Sequence, residues 1–203
     1  MTINDILCVS NISACPARFR QALSILLPLE CEFEHDGVTI RTENVQGDSG
    51  GRTFAGLDEA TWAPLGFPYD DPTPKAVVAA YEQEWNALRA CELPHPVGSA
   101  LFIQGTNQGD HRCVAMLQAS INDFNPASGK ISEDGIMGAA TVRAGWGMDS
   151  RDLARSFLSK SRARYKQLVA QHPALLKFAD GWMSRVVAIE KFYEIGFDSS
   201  TLA

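Results

Sequence analysis

The chain has 203 residues and a mass of 22.1 kDa, enough for one good-sized core or two small lobes and too short for several full domains. Hydrophobic residues at 45% and charged residues at 21%, with four Trp and ten Phe, exclude global disorder, and the longest apolar stretches fall well short of the roughly 20 residues of a bilayer span. The net charge of −6 is uneven, with nine Lys/Arg against nineteen Asp/Glu in residues 1–150 and nine against five in 151–203, and a pI near 5.2 argues against nucleic acid as a partner.

The opening run, Met1-Thr-Ile-Asn-Asp-Ile-Leu-Cys8, lacks the basic, apolar and small-residue regions of a secretory signal, so the expectation is synthesis in the cytoplasm without a signal peptide. Five Cys, at 8, 15, 31, 91 and 113, are odd in number and show no Cys-x-x-Cys spacing, which predicts reduced, mostly buried thiols and no zinc ribbon. Cys31 and His35 could supply two metal ligands, but nothing else stands at ligand spacing.

The first strong element is a helix from Pro16 to about Leu29, with Phe19, Ala22, Leu23, Leu26 and Leu27 on one face. Continuing that stripe brings Glu30 to the buried side at the helix C-terminus. Partial burial and the negative end of a helix dipole both favour a protonated carboxyl, the form a general acid needs. Residues 31–56 read as an acidic loop with a small β element, in which Glu30, Glu32, Glu34, Asp36, Glu43 and Asp48 face only Arg41.

Thr73-Pro74 opens a helix predicted to run to about Glu92, with Val77, Val78, Tyr81, Trp85 and Leu88 inward. Helical patterns resume at Val97 to Gly105, Asp110 to Ile121 and Gly138 to Gly145. A basic helix capped by Ser150 follows up to Gln171, and a last one runs from Pro173 to a stop at Gly196. The residues thus predict a mostly helical protein with a minor β element. Two lobes are expected, 1–93 and 94–203, packed as one globule.

Glycoside hydrolysis needs a carboxylic acid to protonate the leaving oxygen and, in inverting enzymes, a second carboxylate to activate water. The run Glu30-Cys31-Glu32-Phe33, then Asp48-Ser49-Gly50-Gly51-Arg52-Thr53-Phe54-Ala55-Gly56-Leu57, supplies such acids. It resembles the N-terminal signature of glycoside hydrolase family 108, bacterial and phage N-acetylmuramidases with Glu-Gly-Gly-Tyr, then Asp-x-Gly-Gly-x-Thr-x-x-Gly-Ile. Downstream, Phe102 to Gly109, Met116-Leu117-Gln118, Asp134-Gly135-Ile136 through Thr141, and Lys177 to Val186 resemble the blocks of that family's C-terminal peptidoglycan-binding region.

The resemblance implies a mainly α, lysozyme-like α+β fold, a helical bundle with a small β-hairpin beside an active-site cleft. It implies a muramidase cleaving the β-1,4 bond between N-acetylmuramic acid and N-acetylglucosamine, with no metal or organic cofactor. Glu30 would be the general acid, Asp48 the base or water-positioner, and Thr53 the hydroxyl that helps hold the water. Glu32, Glu43, Gly50, Gly51, Arg52 and Asn107 are the candidate substrate contacts.

The partners implied are peptidoglycan glycan strands and an immunity or secretion-system protein, not a membrane, with action in the periplasm or cell wall after export or lysis. Cys31 and Glu32 replace the family's two glycines, and Asp48 lies about nine residues further from Glu30 than is usual. Glu32 therefore rivals Glu30 as acid, and a hairpin around Val38 to Val45 could bring Glu43 or Asp36 into the base role. Trp62, Trp85, Trp146 and Trp182 are read as core packing or sugar platforms. A catalytically inactive glycan-binding module and a hydrolase of a different glycan such as chitin are the alternatives.

Overall fold

The structure, a computed structural model, describes residues 1–12, 15–44, 52–58, 61, 72–125 and 129–196, and of residues 43, 44 and 52 the backbone alone. It divides into two units, Met1–Asn86 and Ala87–Ala203. Among the described residues the chain is mainly helical with one small antiparallel sheet, the architecture expected of a mainly α, lysozyme-like fold.

In the first unit a short helix α1 (Ile3–Leu7) is closed by a capping box that the apolar pattern does not reveal. Thr2 Oγ1 accepts from the Asp5 amide at 3.2 Å, and the Asp5 carboxylate accepts from the Thr2 amide at 2.7 Å. Helix α2 (Pro16–Glu30) starts with proline at its first position and buries Phe19, Ala22, Leu23, Ile25, Leu26 and Leu27. Pro28 removes one N–H from its last turn, and the chain leaves the helix at Cys31 in extended geometry. Helix α3 (Pro74–Ala87) begins where Thr73 Oγ1 accepts from the Ala76 amide, and its Trp85 meets Phe19 of α2 with ring centroids 5.4 Å apart. It ends at Ala87 rather than near Glu92, because Arg89 turns left-handed (φ 48°) into a 3-10 turn, Ala90–Glu92.

Strands β1 (Thr42–Asn44), β2 (Arg52–Phe54) and β3 (Leu57–Asp58) form a meander, with Thr53 opposite Glu43 on one side and Asp58 on the other. Phe54 and Leu57, paired on the opposite sheet face, are buried. Ahead of β1 lies a narrow loop in which Phe33 bridges Ile40, the Glu34 amide donates to Thr39 O, and Gly37 (φ 68°) makes the turn. Val45 lies outside the described residues, and the rest of the expected hairpin around Val38 to Val45 falls in two features: this loop, and a strand that pairs with β2.

In the second unit helix α4 (Val97–Gln108) is central and buried along Val97–Gly105. Helices α5 (Asp110–Phe124), α7 (Ser150–Gln171) and α8 (Ala179–Phe192) pack around it, with α6 (Ala139–Trp146) against α5 and α7. Gly98 permits the approach of α4 to the 3-10 turn, because a Cβ there would lie 2.0 Å from Ala90 O. A part-buried bidentate ion pair, Arg162 to Glu190 at 2.7 and 2.5 Å, ties α7 to α8.

Several boundaries differ from the sequence pattern for local reasons. The cap of α7 is Asp149, which accepts from the amides of Arg151 and Asp152, and not Ser150. The segment from Pro173 is a 3-10 turn before α8, and α8 stops where Glu194 adopts φ 51°, two residues ahead of Gly196. The expectation that all five cysteines are reduced is corrected: Cys15 and Cys91 are disulfide-bonded, whereas Cys8, Cys31 and Cys113 keep their thiols. No described helix is long and apolar enough to cross a membrane.

Candidate active site

Glu30 is the last residue of α2 and is half-buried. The two-residue turn between β2 and β3 sits on its side chain. Ala55 and Gly56 both have positive φ, 51° and 76°, which makes a type I′ turn whose twist matches that of the strands it joins. Gly56 is pressed so close that a Cβ there would lie 2.6 Å from Glu30 Cβ and 2.9 Å from Tyr81 Oη. Tyr81, from α3 and 1% exposed, donates its hydroxyl to Ala55 O at 2.7 Å. Three elements therefore converge: the end of α2 supplies the carboxyl, the turn caps its stem, and α3 holds the turn. Thr53 is half-buried on β2, one residue before the buried Phe54 that anchors the strand.

The other acids of this region stand differently. Glu32 is exposed and its Oε2 lies 3.6 Å from Arg41 Nη2. Asp36 is exposed and bound to its own turn: Oδ1 accepts from the amides of Val38 and Thr39, at 2.9 and 2.8 Å, and Oδ2 accepts from Thr39 Oγ1 at 2.6 Å. The Thr39 hydroxyl, then the Thr39 and Val38 amides, hold its carboxyl down to about 2, which makes it a poor proton acceptor near neutral pH. Cys31 carries the imprint of its neighbour, since burial first and the Glu30 carboxylate second push its thiol up to about 12. A thiol held protonated in this way is no nucleophile.

Glu43 and Arg52 enter the sheet as backbone partners of Thr53 and Asn44 respectively. Asp48, Gly50 and Gly51 lie outside the described residues, as does Trp62. Asp58 is a carboxylate that the sequence pattern does not single out: it is the cross-strand neighbour of Thr53, and its Oδ1 accepts from Thr61 N at 2.8 Å and Thr61 Oγ1 at 2.6 Å. A cavity of about 410 Å³ in this unit is lined by Asp5, Cys8, Val9, Ser10, Asn11 and Thr73 to Lys75, and among the described residues no candidate lines it.

In the second unit, Gln118 joins two of the sequence blocks, its own and Asp134 to Thr141. Its side chain, 1% exposed, donates to Asp134 Oδ1 (2.8 Å), Ile136 O (3.1 Å) and Thr141 Oγ1 (3.2 Å) and accepts from the Gly135 amide (2.8 Å). Gly135 has φ 70°, and a Cβ there would lie 2.6 Å from His111 O, so glycine is required twice over. Asn107 is exposed at the end of α4 and lines a separate cavity of about 260 Å³, together with Trp182. Trp85 is core and fully buried, whereas Trp146 is 58% exposed and donates its indole N–H to Glu92 O at 2.8 Å. Among the described residues no cluster of His, Cys, Asp and Glu could hold a metal ion.

With this geometry in view, residues 112–187 match a family model described as "Predicted Peptidoglycan domain". The match spans a little over a third of the chain and begins in α5, and it supports a peptidoglycan-associated protein. The structure of Brucella abortus SagA is similar in fold, with a TM-score of 0.66 and 22% identity over 91% of this chain and 98% of that one. No curated protein matches significantly.

Proposed function

We propose that the chain is a peptidoglycan hydrolase of lysozyme type. It cleaves the β-1,4 bond between N-acetylmuramic acid and N-acetylglucosamine, and the second unit engages the strand. The observation that carries this reading is the setting of Glu30: a half-buried carboxyl at a helix C-terminus, its stem packed under a hairpin turn that Tyr81 pins in place. A general acid has to be positioned within hydrogen-bond reach of the glycosidic oxygen, and this packing removes the rotamer freedom that would blur that position. In the mechanism, Glu30 protonates the leaving oxygen as the C–O bond breaks. Asp48, with the Thr53 hydroxyl, activates the water that attacks the anomeric carbon of the oxocarbenium-like transition state.

The match of residues 112–187 supports peptidoglycan as the polymer. The disulfide-bonded Cys15 and Cys91 suit an oxidising compartment, in keeping with work in the periplasm or wall after export or lysis. Exposure and pairing with Arg41 favour Glu30 over Glu32 as the acid. A second reading, a glycan-binding module without catalysis, is favoured by Cys31 and Glu32 standing where the resembling family has glycines. Solubilisation of purified sacculi by wild type and by Glu30→Gln separates the two. Hydrolysis by wild type alone supports the enzyme, and retention on sacculi with no release supports the module.

A further inference from the structure

The 260 Å³ cavity of the second unit has the makings of an anion site. The end of α4 supplies Asn107 and Gln108, the first turn of α5 Arg112, α7 Arg164 and Tyr165, and α8 Trp182. Among the described residues neither Arg112 nor Arg164 has an ion pair or a side-chain hydrogen bond, whereas Arg155 and Arg162 on the same helix α7 are paired with Asp152 and Glu190. Two guanidiniums sharing one cavity repel each other. Burial first and Arg112 second disfavour the charged form of Arg164.

Two further atoms of the wall point the same way. Gln108 Oε1 and Arg164 Nε are buried and have no hydrogen-bond partner among the described residues, a state that protein interiors avoid. Gln108 Nε2 donates to Gln104 Oε1 at 2.9 Å. The Tyr165 hydroxyl lies 2.8 Å from Asn107 Oδ1 and 3.0 Å from Gln104 Oε1, and its single proton serves only one of them. Tyr165 and Trp182, stacked at 5.0 Å and 16°, add an aromatic wall. The volume lies below the roughly 300–1,000 Å³ that encloses a drug-sized ligand, so the cavity fits one group of a larger molecule.

We infer that this cavity binds a carboxylate of the peptidoglycan strand: Arg112 and Arg164 take the anion, Gln108 accepts an adjacent N–H or O–H, and the aromatic wall lies along the apolar part of the carrier. The inference rests on the peptidoglycan reading above. Arginine suits the role because its planar fork matches a carboxylate in two-point hydrogen bonding. The strand offers such carboxylates on the lactyl ether of N-acetylmuramic acid and on the stem peptide. The two are the same chemistry for the cavity.

The test is an NMR titration of the full chain with three probes: free N-acetylmuramic acid, the stem tripeptide L-Ala-γ-D-Glu-diaminopimelate, and neutral diacetylchitobiose. The expected result is perturbation of Arg164 Nε–H and the Trp182 indole N–H by a carboxylate probe and not by chitobiose. Whichever acid acts identifies the source. Arg112→Gln and Arg164→Gln should each weaken that binding about ten- to a hundred-fold, the loss of one charge-assisted contact, without lowering the melting temperature.

Equal binding of chitobiose, or affinities unchanged in both variants, would overturn the assignment. If wild type co-sediments with sacculi while no probe reaches these resonances, the cavity assignment fails and the peptidoglycan reading stands. If wild type neither sediments with nor digests sacculi, the reading itself fails.

Discussion

Replacing Gly56 with alanine tests the packing that positions Glu30. Two costs are separable. Alanine at φ 76° loses roughly 1–2 kcal/mol relative to glycine, the penalty for a side chain in left-handed backbone. Its Cβ would also fall 2.6 Å from Glu30 Cβ and 2.9 Å from Tyr81 Oη, contacts that neither a helix-end Cβ nor a pinned hydroxyl can yield cheaply, adding about 1–3 kcal/mol of overpacking.

Gly37 is the matched control, because it has φ 68° with nothing within 4 Å of the place a methyl group would take, and so pays the first cost alone. Calorimetry should show Gly56→Ala destabilised by about 2–5 kcal/mol and Gly37→Ala by about 1–2 kcal/mol. At a temperature where both are folded, sacculus hydrolysis should fall at least tenfold for Gly56→Ala and stay near wild type for Gly37→Ala. Equal destabilisation of the two variants, or full activity in Gly56→Ala, would refute the claim that the turn holds Glu30.

Gln118→Leu removes the hub of the 134–141 segment and strands the Gly135 amide, so it should cost about 2–4 kcal/mol and expose that amide to hydrogen exchange. Cys31, its thiol pushed up to about 12, should alkylate far more slowly at pH 8 than the exposed Cys8, and Glu30→Gln should speed it by removing the adjacent charge; an unchanged rate would mean that charge is not beside the thiol. The Asp36 carboxyl should titrate near 2 by NMR, with Thr39→Val moving its midpoint upward. Because the folded-state value lies below the usual 3.8, the turn's contribution to stability is fully present above about pH 4 and is lost as pH falls towards 2.

Helical periodicity carries most of the fold. Phe19 to Leu27 mark α2 almost to its last residue, and the pattern of the basic helix meets its observed end at Gln171 and misses its start by one residue, because long apolar stripes are hard to mistake while a cap is set by one side chain. What escapes the pattern is set by single side chains. Helix α1 depends on the Thr2 and Asp5 capping pair, the end of α3 on the left-handed Arg89, and the split of the expected hairpin on Gly37 and the bridge between Phe33 and Ile40.

In the site, the helix stripe is enough to bring Glu30 to a helix end. Nothing local announces that Tyr81, 51 residues on in sequence, reaches back to the turn above it. Arg112 and Arg164 are equally hidden, since their separation of 52 residues is closed only when α5 and α7 pack. The excess of basic residues after 150 is the one trace of Arg164, and Arg112 leaves none.

The most direct test of the account is mass analysis of the fragments released from purified sacculi by wild type and by Glu30→Gln, after borohydride reduction of the new chain ends. The account predicts disaccharide muropeptides ending in reduced N-acetylmuramic acid with wild type and none with Glu30→Gln. Release of the same fragments by Glu30→Gln, or sacculi left intact by wild-type protein that nevertheless binds them, would contradict it.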